Sequence, residues 1–162
     1  MPGILTEDMQ RLVREQSLGY VASVSPDGTP NLSPKGTLTV WDEDHLVFAD
    51  IRSPATMRNL RQNAAVEVNV VDPVVRKGYR FRGTATVVDS GPLCDEIRDF
   101  YGTRWIDTEH GIGEINLRAF VVIEVAEALP LVSPCYDVAG VTEAQVREAW
   151  WKRYQNILKA AR

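Results

Sequence analysis

A chain of 162 residues is about one domain in length, and 44% hydrophobic content is ordinary for a globular fold. The net charge of −4 argues against a general nucleic-acid binder, whose affinity rests mainly on neutralising phosphates. No apolar run approaches the roughly 18 residues of a membrane span; the longest, residues 119–128, is broken by Glu124 and Glu127.

In chain order, Thr6 is a good N-cap for a helix that places Met9, Leu12 and Val13 on one face and ends near Ser17. Residues 18–24 are β-rich, residues 25–30 are dense in turn chemistry, and residues 31–40 return as a second strand, which predicts a hairpin. Trp41-Asp42-Glu43-Asp44 turns into a short strand over 45–50. Ser53 followed by Pro54 predicts an N-cap and first helical position, with a helix over 55–62 and a stop at Asn63. Residues 65–71 alternate, Val66, Val68 and Val70 opposing Glu67 and Asn69.

A loop over 72–78 carries Arg76 and Lys77, and a longer strand over 79–89 has Gly83 as its expected bulge. A helix over 92–101 is expected to stop at Gly102, the stretch 105–116 has no assignment, and 118–128 is the last strand. Thr142 and Gln145 form a capping box, with Val141 able to staple onto Val146. Val146, Ala149, Trp150, Ile157, Leu158 and Ala161 then share one helical stripe. About six strands joined by short turns predict a closed antiparallel barrel with inserted helices, in a single domain.

Much chemistry is excluded by what the sequence lacks. His45 and His110 are the two histidines and neither has metal-ligand spacing to another His or Cys, so no metal site is expected. There is no GxSxG, P-loop or GxGxxG. Cys94 and Cys135 form no CxxC pair; with no apolar leader at the start, they read as reduced thiols of a cytoplasmic protein.

Two features could hold a ligand. The strand-to-helix junction at Ser53 and Pro54 offers unpaired helix-start amides and the partial positive charge that favours phosphate. Thr56 lies in that first turn and Arg52, Arg58 and Arg61 surround it. The plain alternative is a capped helix with solvated arginines. The second feature is Asn31-Leu32-Ser33-Pro34-Lys35-Gly36-Thr37, where Pro34 and Gly36 interrupt a strand. A planar ligand against exposed backbone explains it, and so does an edge bulge. A ligand with a flat polar ring and a phosphate would satisfy both features together.

At these residues the sequence resembles the pyridoxamine 5′-phosphate oxidase-like, FMN-binding split-barrel family, through LGYVASVSPDGTPNLSPKG, LVFADIRSPATMRNLRQNAAVEVNV and GYRFRGTATVV. The resemblance implies a mainly β protein, a six-stranded antiparallel split barrel with inserted helices. It further implies a homodimer with two FMN sites in clefts between subunits. It places Ser33, Pro34, Lys35, Gly36 and Thr37 along the ring and ribityl chain, and Ala49 and Asp50 against the cofactor. Ser53 and Thr56, helped by Arg58, would hold the phosphate. Where many relatives carry an Arg-Lys pair, this chain has Ala55 and Thr56, and the C-terminal Arg- and Trp-containing segment of the true oxidase is not evident.

The function this implies is an FMN-dependent oxidoreductase acting on an unknown small molecule, with no catalytic acid or base assigned. The alternatives are a non-catalytic flavin binder or electron carrier, or the same barrel holding a deazaflavin or haem. The apolar face of residues 118–128 and the Trp150 stripe are candidates for a two-fold interface. No nucleic acid or membrane partner is expected.

Overall fold

The structure, a computed structural model, describes residues 3–105 and 117–161. The unassigned stretch falls outside these residues, except for Trp105 and its helical backbone. Four helices, α1 (Glu7–Gln16), α2 (Pro54–Gln62), α3 (Pro92–Trp105) and α4 (Glu143–Ala160), accompany seven strands. These are β1 (Gly19–Val24), β2 (Pro30–Lys35), β3 (Thr39–Val40), β4 (His45–Asp50), β5 (Ala65–Asp72), β6 (Lys77–Val88) and β7 (Ala119–Val132).

All pairs are antiparallel, in the order β2-β1-β5-β6-β7-β4-β3. The two edge strands, β2 and β3, are consecutive in the chain. Only Gly36, Thr37 and Leu38 separate them, so their ends lie no more than about 14 Å apart. The sheet therefore curls until its edges meet at this short connection, which makes a split barrel. The count is seven rather than six because the expected strand over 31–40 breaks there. The ladder with β1 runs through Pro34 and ends at Lys35, opposite Gly19 where β1 begins, and pairing resumes on another partner at Thr39.

Inside the barrel lie Val21, Leu46, Phe48, Val68, Phe81, Val121 and Ile123, each no more than 1% exposed. Helix α1 adds Leu12 and Val13, and α2 adds Met57 and Leu60. Thr6 caps α1 through its hydroxyl, which accepts from the Met9 amide. A second core lies outside the barrel, where α3 covers Val47, Ala49, Val88 and Phe120 with Cys94, Ile97 and Tyr101. Strand β4 is thus buried on both faces, which is why it reads as an unbroken apolar run. The same cover occupies the outward face of β7 at Phe120 and Val122, half of the apolar surface expected to serve an interface.

Three boundaries differ from expectation. Helix α3 continues through Gly102 to Trp105, because a single glycine weakens a helix without stopping it. Strands β6 and β7 each extend further than predicted, because Lys77 to Tyr79 pair with Pro130 to Val132. The Thr142–Gln145 capping box is present, yet along the α4 stripe only Val146 is buried.

Candidate functional site

The two ligand-capable features come together at the barrel's split. Strand β2 turns Asn31, Ser33 and Lys35 inward, while Leu32 and Pro34 face out. Lys35 is 6% exposed, and its Nζ donates to Ser33 Oγ at 2.7 Å and sits 5.4 Å from the centre of the Phe48 ring. Among the described residues it has no ion-pair partner. Burial pushes its pKa down, and the charge of Asp50 only partly restores it.

Gly36, just beyond, is exposed, and a Cβ built on it would meet nothing within 4 Å. Open space therefore lies against this backbone. Thr37 is tied in: its hydroxyl accepts from the Ala49 amide and donates to the Ala49 carbonyl, both at 3.0 Å. Tyr101, from α3, donates its hydroxyl to the Thr37 carbonyl at 2.7 Å. The connection is held from both sides, with Gly36 left at its surface.

At the start of α2, Ser53 occupies the N-cap position, but its side chain does not cap. Asp50 Oδ1 accepts instead from the Ser53 amide at 3.0 Å and from its hydroxyl at 2.7 Å, fixing the turn between β4 and the helix. Pro54 has no N–H, and the first helical bond runs from the Met57 amide to the Ser53 carbonyl. The amides of Ala55 and Thr56 are left without an acceptor among the described residues, a donor pair suited to an anion. Arg58 is exposed on the same helix, whereas Arg61 bonds Asp89.

Thr56 is 1% exposed and accepts from Asn31 Nδ2 at 3.1 Å, so its side chain joins β2 to α2. Asn31 also donates to Ser23 Oγ, and Asn59, fully buried, donates to Ser23 and Ser25. Asn59 Oδ1 has no partner among the described residues. This buried network went unread in the sequence. Its signal was present, since Asn59 shares the helix face of Thr56, and Ser23 falls on the inward face of β1.

The expected residues thus form a connected arrangement. Ser33 and Lys35 bond each other, Lys35 feels the charge of Asp50, Asp50 holds Ser53, and Thr37 bonds Ala49. Pro34, Gly36 and Arg58 border it from exposed positions.

The sequence model of the pyridoxamine 5′-phosphate oxidase family matches residues 5–130. This chain belongs to that family. The true oxidase's substrate does not follow from membership. No curated protein sequence matches. Among solved structures, HupZ of Group A Streptococcus is 27% identical with a TM-score of 0.68, over 79% of this chain and 94% of that one. An FMN-binding protein from Syntrophomonas wolfei shares the fold at 18% identity and a TM-score of 0.65, over 80% of this chain and 87% of that one. HutZ, the haem storage protein of Vibrio cholerae, also shares it at 17% identity and a TM-score of 0.61, over 79% of this chain and 94% of that one.

Proposed function

We propose that this family member binds FMN in a cleft that a second copy completes, and that it works as a flavin-dependent oxidoreductase on a small molecule. The observation that carries the reading is the meeting of open backbone at Gly36 with uncommitted amides at the start of α2, on either side of Lys35. The residues present fit the group. The Ala55 and Thr56 amides and the exposed Arg58 would hold the phosphate, replacing the basic pair of other members. The Lys35 ammonium offers positive charge to the ring or phosphate, and Ser33 orients it. Gly36 admits a flat ring close to the backbone, while Thr37 and Tyr101 keep that backbone in place.

FMN, when bound, supplies the electron transfer. The protein's part is to position the ring and stabilise charge on it, and no side chain here is assigned as acid or base. Absorption of the purified protein distinguishes the ligands: FMN, deazaflavin and haem have different spectra, and a haem Soret band overturns this reading. Reduction of the bound flavin by a nicotinamide donor, followed by reoxidation with an added acceptor over many cycles, supports an enzyme. A flavin that exchanges electrons only stoichiometrically marks a carrier instead.

A further inference from the structure

Helix α2 meets the barrel in two different ways. Met57 and Leu60 face the core, while Thr56 and Asn59, also three residues apart, turn from the neighbouring face to β2 and β1. Apolar contact has no direction, so by itself it lets a helix slide or roll by a fraction of a turn. Directed hydrogen bonds between buried groups do not. Here they cross three elements. Asn31 Nδ2 donates to Thr56 Oγ1 and to Ser23 Oγ, both at 3.1 Å. Asn59 Nδ2 donates to Ser23 Oγ at 3.3 Å and to Ser25 Oγ at 3.2 Å.

Stability does not account for this set. Asn59 is fully buried with Oδ1 unpartnered among the described residues, and a buried orphan is a cost that apolar groups of the same shape avoid. What the bonds fix is place. Asn31 shares the inward face of β2 with Ser33 and Lys35, and stands about 13 Å along the strand from Lys35. The Thr56 amide has no acceptor among the described residues, while the Thr56 hydroxyl is tied to Asn31. One residue thus carries both a donor for an anion and the anchor that locates this donor against the strand leading to Gly36.

We propose that Asn31 and Asn59 are positioning residues. Acting through the Thr56 hydroxyl and through Ser23 and Ser25, they set the register of α2 on β1 and β2. They thereby hold the Ala55 and Thr56 amides where a ligand phosphate falls, and make the site prefer a phosphorylated flavin to its unphosphorylated form. This role rests on the FMN reading above, and it puts the Thr56 hydroxyl behind the site rather than in it.

Fluorescence titration of the full chain with FMN and with riboflavin, beside thermal melts, tests the role. Wild type should prefer FMN. Asn31→Leu, Asn59→Leu and Thr56→Val should each cut that preference at least tenfold, because bonds to the phosphate weaken while riboflavin affinity stays within about twofold. Melting temperatures should stay close to wild type, since each change swaps a polar group for an apolar one of similar shape. Asn31→Leu/Thr56→Val should lose no more than either single change, because both break the same bond. Thr56→Ser, which keeps the hydroxyl, should retain the preference. A preference lost in Thr56→Val but intact in Asn31→Leu and Asn59→Leu would put the hydroxyl on the phosphate itself and overturn the positioning role. Equal losses for both flavins, or melts far below wild type with both flavins lost, would mark a purely structural network and overturn it too. So would variants that all keep the wild-type preference. In each of these cases wild type still prefers FMN and the proposed site stands. A wild type that binds neither flavin, or both equally, removes the phosphate site and this role with it.

Discussion

Lys35 and Gly36 are neighbours with opposite problems. Lys35 is a charge held where water is scarce, so its folded pKa lies below the 10.5 of the unfolded chain. Between those two pKa values the unfolded chain binds more protons than the folded one, and stability of the ligand-free protein rises with pH. Below the folded pKa the buried charge is a standing cost. Lys35→Met keeps the stem and removes that charge, so it should stabilise the protein at pH 7, and the gain should shrink as pH rises towards 10.5. Urea midpoints of both proteins at pH 7 and pH 10 check this; a gain independent of pH would show that the ammonium is not penalised. Gly36 has the reverse character, with empty space where a side chain could go and no positive φ to strain one. Gly36→Val should leave the melting temperature within a few degrees of wild type while weakening flavin binding at least tenfold, because the added methyls take ligand space. Fluorescence titration with FMN beside a melt reads both. An intact affinity would move the ring elsewhere.

At the level of elements, Gly83 is the bulge that lets β6 stay on β7 along its length. The register shifts between Arg82 and Gly83, and a Cβ on Gly83 would collide with the Glu124 carbonyl. Gly83→Val should therefore destabilise the barrel by about 2–4 kcal/mol, by strain and lost ladder bonds, measured from urea unfolding. Wild-type stability would mean that the pair simply re-registers. This bulge was readable, as were the capped α1, the Val66–Val68–Val70 alternation and the capping box of α4, because each rests on neighbours in sequence. The end of α3 was misplaced because one glycine does not stop a helix, and the full reach of β6 and β7 was not readable, since partners far along the chain set it. The candidate site was half legible for the same reason. A Pro and a Gly inside a strand and a Ser-Pro helix start are local signs. That Ser53 bonds Asp50 rather than capping is settled within the turn from β4 to α2, and that Thr56 is spent on Asn31 depends on how β2 and α2 meet.

For the molecule as a whole, uncovered apolar side chains gather on β1 and β2 beside the candidate site, Leu32 at 66%, Tyr20 at 45% and Val24 at 39%, with a second pair, Val132 at 53% and Leu129 at 39%, at the far end of β7. The opposite outer face is already closed by α3. An interface on the β1–β2 side would bury apolar surface where the flavin cleft needs a second wall, so cofactor and partner should be linked. If FMN binds only where two chains meet, it stabilises the dimer over the monomer, and the dimer in turn tightens FMN by the same free energy. Two measurements test this together. Sedimentation of apo and FMN-loaded protein should give a lower dimer dissociation constant with FMN. FMN affinity, titrated at protein concentrations above and below that constant, should fall as the chain dilutes. Flavin absorbance travelling with the dimer boundary and absent from the monomer boundary is the expected result. Tight, stoichiometric FMN on the monomer would place the whole site within one chain and end the shared-cleft reading.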